Sequence, residues 1–278
     1  MISAVVVNYD GGATLGRCLG SLPAPRPGRF EAILVDNASA DGSVAAVRRD
    51  FPGVRILALG ENVGFGAAVN RGAAEARGEA LLLLNQDAWL APGCLEALAG
   101  RLAREPELAW VAPRLSYPDG RPQFAWEPKV SLVGEALRKL RNRFESRQWT
   151  HTRLPRLLEA LFGRGWFTAA CALVRKSAFD AVGGFDERFF LYFEDTDLCL
   201  RLGRAGWRLA LEPGAHAVHA SAGGRRGAEV ELAYRESQLA FYAKHRPRWE
   251  GAVLRTFLGG TSRSGGCATF RPSRRSQP

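Results

Sequence analysis

The chain of 278 residues lacks the marks of several protein classes. Its five cysteines, Cys18, Cys94, Cys171, Cys199 and Cys267, are scattered, odd in number and never spaced C-x-x-C. That argues against a disulfide framework or a zinc knuckle and leaves small core residues or inert thiols. No apolar run is long enough to cross a bilayer: "ALLLLN" has strand length, and MISAVVVNYD carries no basic residue ahead of its apolar segment. Neither a secretory leader nor a transmembrane helix is expected, and a cytoplasmic protein is. No internal repeat is visible. The basic segments have no interleaved aromatics of the kind that stack on single strands, so no nucleic-acid partner is expected.

What is present is the composition of a globular protein, 46% hydrophobic and 24% charged, long enough for one large α/β domain or two small ones. The net charge of +10 is uneven: +6 over residues 101–165 and +7 over 222–278, against −2 over 1–100 and −1 over 166–221. Two such blocks suit either an anionic surface, such as membrane headgroups, or plain solubilisation.

Strand and helix alternate along the first hundred residues. "ISAVVVNYD", "FEAILVDNAS", "VRILALG" and "EALLLLNQDA" read as buried strands. "ATLGRCLGSL", with Thr14 as N-cap, "DGSVAAVRRDF", "GFGAAVNRGAAEAR" and "APGCLEALAGRLAREP" read as helices. The pattern predicts a mostly parallel sheet covered by helices on both faces, with ligands bound beyond the carboxyl ends of the strands. Three polar strand ends, Asn8-Tyr9, Asp36-Asn37 and Asn85-Gln86-Asp87, would gather there. Further on, "PRLSYPDGRPQ" reads as a hairpin, "VSLVGEALRKLRNRF" as a basic amphipathic helix, "WRLALEPGAHAVHAS" as a late strand pair, and "AEVELAYRESQLAFYAKH" as a helix before a Gly/Ser/Arg tail.

Five stretches can carry chemistry. Asp36 at a strand end can accept from a ribose or base, or merely shape its turn. Gly64 and Gly66 open a helix where backbone can approach an anion, although their spacing is not a dinucleotide fingerprint. Asp87 ends a leucine strand, as a carboxylate holding Mg²⁺ or Mn²⁺ would; Asn85 can add a carbonyl oxygen. His219 is either a further ligand or structural. Finally, Glu194, Asp195 and Asp197 crowd behind Phe189, Phe190, Tyr192 and Phe193. A helix dipole accounts for one or two acids, typically by ~0.3–1 kcal/mol each. Repulsion and partial burial should raise at least one carboxyl pKa, as suits a general base.

Taken together, "VVVNYD", "ILVDNASADGS", "ENVGFGAAVNRG", "LLLLNQDAWL", "GGFDERFFLYFEDTDLCLRLGRAGW" and "PGAHAVH" resemble the inverting family 2 glycosyltransferases, in their bacterial rhamnosyltransferase-like branch. The resemblance spans roughly residues 3–221. It implies an α/β fold of the GT-A (nucleotide-diphospho-sugar transferase) type over residues 1–224, with a basic insertion at about 113–165. Residues 225–278 would form a C-terminal helix and a flexible basic tail. Asn8, Tyr9 and Asp36 would hold the nucleoside, with Asn62, Gly66 and Asn70 in the loop near the donor. Asp87, supported by Asn85, would bind a divalent cation, Mg²⁺ or Mn²⁺, with His219 completing its shell. Asn85-Gln86-Asp87 stands in place of the usual Asp-x-Asp. Asp195 would be the catalytic base and Glu194 would orient the acceptor. The implied donor is dTDP-rhamnose, with a UDP-hexose or UDP-N-acetylhexosamine as the alternative, and the acceptor a glycan or lipid-linked precursor at the inner membrane face. A non-catalytic nucleotide-sugar or nucleic-acid binding module is the remaining, more remote reading.

Overall fold

In this computed structural model the described residues are 1–127, 130, 165–220 and 228–259. The first hundred residues alternate as expected: β1 (Ile2–Asn8), α1 (Gly12–Gly20), β2 (Phe30–Asp36), α2 (Ser43–Asp50), β3 (Arg55–Ala58), α3 (Phe65–Glu75), β4 (Ala80–Asn85), β5 (Ala88–Leu90) and α4 (Cys94–Arg104). Then come β6 (Leu108–Ser116), β7 (Pro122–Gln123), β8 (Trp126–Glu127), β9 (Trp166–Phe167), β10 (Cys171–Arg175), α5 (Lys176–Ala181), α6 (Glu194–Arg204) and β11 (Arg208–His219). Two helices close the described chain, α7 (Ala228–His245) and α8 (Arg248–Gly259).

The main sheet runs β3-β2-β1-β4-β10-β6-β11-β5, with β7 paired to β6. The first four strands are parallel, as are β6 and β11. However, β10 runs antiparallel to both β4 and β6, and β5 antiparallel to β11. The sheet is therefore mixed, a minor departure within the expected α/β fold of parallel strands flanked by helices. The early strand-helix-strand units dictate parallel pairing of the first four strands. Strand alternation divides the core between the two faces. Ala4, Val6, Leu82 and Leu84 pack on one side with Leu15, Cys18 and Leu98. Val5, Val7, Leu81 and Leu83 pack on the other with Val69, Phe185 and Leu198. A strand buried on both faces must be apolar throughout, which explains the unbroken leucine run.

Local expectations fare unevenly. Thr14 lies inside the first turn of α1, its hydroxyl donating to the carbonyl of Gly11, which holds the N-cap position. The hairpin forms, with β7 antiparallel to β6. The late strand pair is one strand, β11, interrupted by a register shift between Glu212 and His216. The basic amphipathic helix and the tail beyond Gly259 lie outside the described residues. Cys18, Cys94, Cys171 and Cys199 are buried free thiols. Among the described residues no helix is long and apolar enough to cross a membrane.

Candidate functional site

The parallel register sets Asn8 beside Asp36 and Val7 beside Asn85, so the three polar strand ends share one edge of the sheet. A cleft of about 350 Å³ opens there. Tyr9, Asn37, Asn62 and Gly64 line one part of it, Asn85, Gln86 and Asp87 its floor, and Phe190, Leu191, Val230 and Ala233 the far wall.

Several expected donor residues lie beneath or beside the cleft. Asn8 is fully buried. Its Nδ2 donates toward Asp36 Oδ1 (2.8 Å) and the Ser39 and Ser43 hydroxyls (both 2.9 Å), and its Oδ1 accepts from the Gly11 amide. Asp36 also accepts from the Ser39 hydroxyl (2.6 Å) and is only 4% exposed. The pair braces the strand ends from below. Gly66 packs α3 against its neighbours: a Cβ there would stand 3.0 Å from Phe185 Cβ and 3.5 Å from Glu194 Cβ. Asn70 spans to the loop before α6, donating to the Phe185 carbonyl and accepting from its amide (both 2.9 Å). Tyr9, Asn62, Asn85 and Asp87 do line the cleft.

Three framing residues were not legible as such. Gln86 clamps the Tyr9 backbone, accepting from its amide (2.6 Å) and donating to its carbonyl (3.0 Å). Asn37 holds the glycine loop by donating to Asn62 Oδ1 (2.8 Å) and accepting from the Val63 amide (2.9 Å). Gly64, at φ +86, passes so close to the Phe190 carbonyl that a Cβ would overlap it. Polar residues at strand ends look alike in sequence, so only the fold separates clamps from contacts.

Asp87 and His219 meet because β5 pairs with β11, His219 lying opposite Ala88. His219 Nε2 stands 3.4 Å from Asp87 Oδ1, and Gln123 Oε1 lies 3.2 Å from Nδ1. With the proton on Nδ1, Nε2 turns its lone pair toward the carboxylate, an arrangement of two facing acceptors that a cation relieves. Beside them the buried Asn85 Oδ1 has no hydrogen-bond partner among the described residues. Among the described residues no group of three or more His, Cys, Asp or Glu side chains is disposed to hold a metal. Asp87 and His219 would hold a cation only together with further oxygens, such as those of a phosphate ligand.

The acidic cluster opens α6. Tyr192 and Phe193 both take left-handed backbone angles, φ +69 and +65, rare for bulky residues. Glu194 is buried, and its Oε2 has no hydrogen-bond partner among the described residues. Burial, then repulsion from Asp195, lifts its carboxyl well above the ordinary range. Asp195 is partly buried. Burial pushes it up to about 6, although it accepts from the Thr196 amide (2.7 Å) and the Ala169 amide (3.3 Å). The next residue, Ala170, accepts from the Asn85 amide (3.0 Å), so a single turn of chain at the head of β10 links Asp195 to the cleft floor. Asp197, fully buried, behaves oppositely: burial raises it, but hydrogen bonds from His245, Lys244 and Arg201 outweigh that and hold it low.

The cleft over parallel strand ends, the Asp87–His219 pair and a carboxylate of raised pKa linked to the cleft floor through Ala169 and Ala170 are compatible with group-transfer chemistry. The profile of Glycosyl transferase family 2 matches residues 3–183. The chain belongs to that family. The family 2 transferase is 36% identical over 276 residues to N-acetylglucosaminyl-diphospho-decaprenol L-rhamnosyltransferase of Mycobacterium tuberculosis, covering 94% of this chain and 90% of that one. A shorter stretch of 54 residues is 52% identical to rhamnosyltransferase WbbL of Escherichia coli, 19% of this chain and 20% of that protein. Among solved structures it is similar to the mannosyltransferase PcManGT of Pyrobaculum calidifontis in complex with GDP-Man and Mn²⁺, at TM-score 0.60 and 18% identity over 95% of this chain and 76% of that one. S. aureus TarS 1–349 with UDP-GlcNAc aligns at TM-score 0.55 and 18% identity over 92% and 71%. The architecture of this family 2 transferase is the GT-A fold.

Proposed function

We propose that this chain moves L-rhamnose from dTDP-rhamnose to a hydroxyl of a lipid-linked glycan precursor, in one inverting displacement. The observation that carries the chemistry is Asp195, a carboxylate with a pKa of about 6 tied through Ala169 and Ala170 to the floor of the cleft. A base of that strength is ionised at neutral pH yet basic enough to accept a hydroxyl proton in the transition state. Likeness to the mycobacterial L-rhamnosyltransferase over nearly the whole chain supports the sugar and the lipid-linked acceptor.

In this reading Tyr9, Asn37 and Asn62 hold the nucleoside end of the donor, over the Asn8–Asp36 brace. Asp87 and His219, with Asn85 beside them, would hold Mg²⁺ or Mn²⁺, as the Mn²⁺ complex of the fold relative supports. Such a cation, when bound, neutralises charge developing on the departing diphosphate. Asp195 takes the acceptor hydroxyl proton as that oxygen bonds to the anomeric carbon. The bond from that carbon to the diphosphate breaks on the opposite face, so configuration inverts. Glu194, its carboxyl pushed well above the ordinary range by burial, orients the acceptor. The two basic blocks of the sequence support contact with an anionic leaflet, from which 1 M salt should release the enzyme if that contact is electrostatic.

A donor screen tests the proposal, reading released nucleoside diphosphate with a lipid-linked N-acetylglucosaminyl acceptor, with Mn²⁺ and with chelator. Acceptor-dependent release from dTDP-rhamnose, abolished by chelator, is expected. Preference for a UDP-sugar overturns the donor assignment.

A further inference from the structure

Helix α7 lies beyond the family-matched residues 3–183, yet it touches the site at both ends. Near its start, Val230 and Ala233 wall the cleft. In its middle, the Ser237 hydroxyl donates to the Leu191 carbonyl (2.9 Å), while Tyr234 packs edge-on to Tyr192 and tilted on Phe193, which also meets Phe241. These contacts grip the two consecutive left-handed residues that aim α6, and such backbone persists only where its surroundings over-determine it.

At its end, α7 is locked to the first turn of α6. Lys244 Nζ donates to both Asp197 Oδ1 and Asp186 Oδ2. His245 Nε2 donates to Asp197 Oδ1 (2.6 Å), while Arg204 donates to His245 Nδ1 (3.0 Å) and so fixes the proton on Nε2. Arg201 Nε holds the other Asp197 oxygen (2.7 Å). The imidazole is 1% exposed and rests on Phe241. Asp197 sits two residues from Asp195, so its direction and that of the base are set by the same turn.

We propose that Lys244 and His245 are positioning residues: by clamping Asp197 they hold the α6 turn that presents Asp195, and α7 thereby couples the donor cleft to the base. This rests on the reading of Asp195 as the base. Mispositioning a reacting group by about an ångström can cost on the order of 10²-fold in rate. Clamp loss is therefore expected to lower kcat and leave donor affinity in place.

The test compares His245→Phe, which keeps the ring stack but cannot donate, with His245→Gln, whose amide can. Each is assayed with dTDP-rhamnose and a lipid-linked acceptor, alongside dTDP titration and thermal melting. H245F is expected to lose at least tenfold in kcat at temperatures where it is folded, with dTDP affinity within twofold of the parent. H245Q is expected to recover most of the loss. A folded H245F with kcat within twofold of the parent overturns the proposal, as does an equal loss in H245F and H245Q. Should H245F not fold, Lys244→Met against Lys244→Arg is the same comparison, with the same outcomes deciding. Asp195→Asn is the control: if it retains turnover, the base assignment fails, whereas an inactive D195N with an indifferent clamp overturns only the clamp.

Discussion

Replacing Asp195 by Asn should abolish turnover and stabilise the fold, two effects with one cause. The carboxyl sits at about 6 against an ordinary 3.8, because burial penalises its charge more than the Thr196 and Ala169 amides reward it. For an acid, a folded pKa above the unfolded one means the native state holds the proton more tightly. The resulting destabilisation is absent below pH 3.8, grows between 3.8 and 6, and is complete above 6. A shift of about two units corresponds to roughly 2–3 kcal/mol; partial exposure of the side chain and coupling to Glu194 leave about 1–2 kcal/mol to recover. Asn removes the charge and can keep the Thr196 contact. At about 2–4 °C per kcal/mol, melting at pH 7.5 should rise by several degrees, and the gain should vanish near pH 4. Turnover, read as released nucleoside diphosphate, should fall by about 10²–10⁴-fold. The parent enzyme should itself lose activity tenfold per pH unit below about pH 6, as Asp195 takes up its proton. A D195N protein that turns over within threefold of the parent refutes the base. One that melts at or below the parent at pH 7.5 refutes the burial argument, whatever its activity.

Four further outcomes follow from the geometry. Asp87→Ala and His219→Ala should each weaken Mn²⁺ binding in the presence of dTDP, read by calorimetry, by tenfold or more; unchanged affinity in both removes them from the cation site. Gly64→Ala places a Cβ on the Phe190 carbonyl at a backbone conformation open essentially to glycine, and should lower stability in denaturant titration by more than about 2 kcal/mol. Gln86→Leu removes both hydrogen bonds to the Tyr9 backbone and should raise the donor KM severalfold with kcat little changed. Asp197→Ala leaves Arg201, Lys244 and His245 without their shared carboxylate and should destabilise by about 3–5 kcal/mol in thermal unfolding.

The sheet's first four strands and its polar edge were legible because β-branched runs and strand-helix alternation leave few arrangements. The antiparallel β10 was not, because "CALVR" has the same apolar look in either direction and its orientation depends on how the chain returns from residues 128–164. Asp87 and His219 share one site only through the pairing of β5 with β11, and β5 is three residues long, too short for periodicity to reveal. Helix α8 was absorbed into the expected tail, since its glycines and arginines resemble the segment that follows. Resemblance to the family assigned roles to Glu194 and Asp195, which composition alone could not have told from Asp197. Asn8, Asp36, Gly66 and Asn70 carry the family pattern and sit around the cleft instead of in its lining. In those residues the pattern marks the frame.

The three acids at the start of α6 divide by what surrounds them, not by their own chemistry. Asp197 meets three donors and keeps its charge in the interior. Among the described residues Glu194 meets none at Oε2, and burial lifts its carboxyl well above the ordinary range. Asp195 lies between, with two backbone amides that are too few to offset burial and enough to orient it. A base needs that intermediate state, ionised at neutral pH and costly to keep so. The aromatics divide likewise: Phe189 and Phe193 are buried with Phe241 and Tyr242 and anchor α7, while Phe190 faces the cleft. In the proposed reading, charge at Asp197, compensated by α7, holds the turn that presents Asp195 as the base. If so, D197A should lose activity even at temperatures where it is fully folded, whereas a purely structural Asp197 would leave the kcat of the folded fraction unchanged.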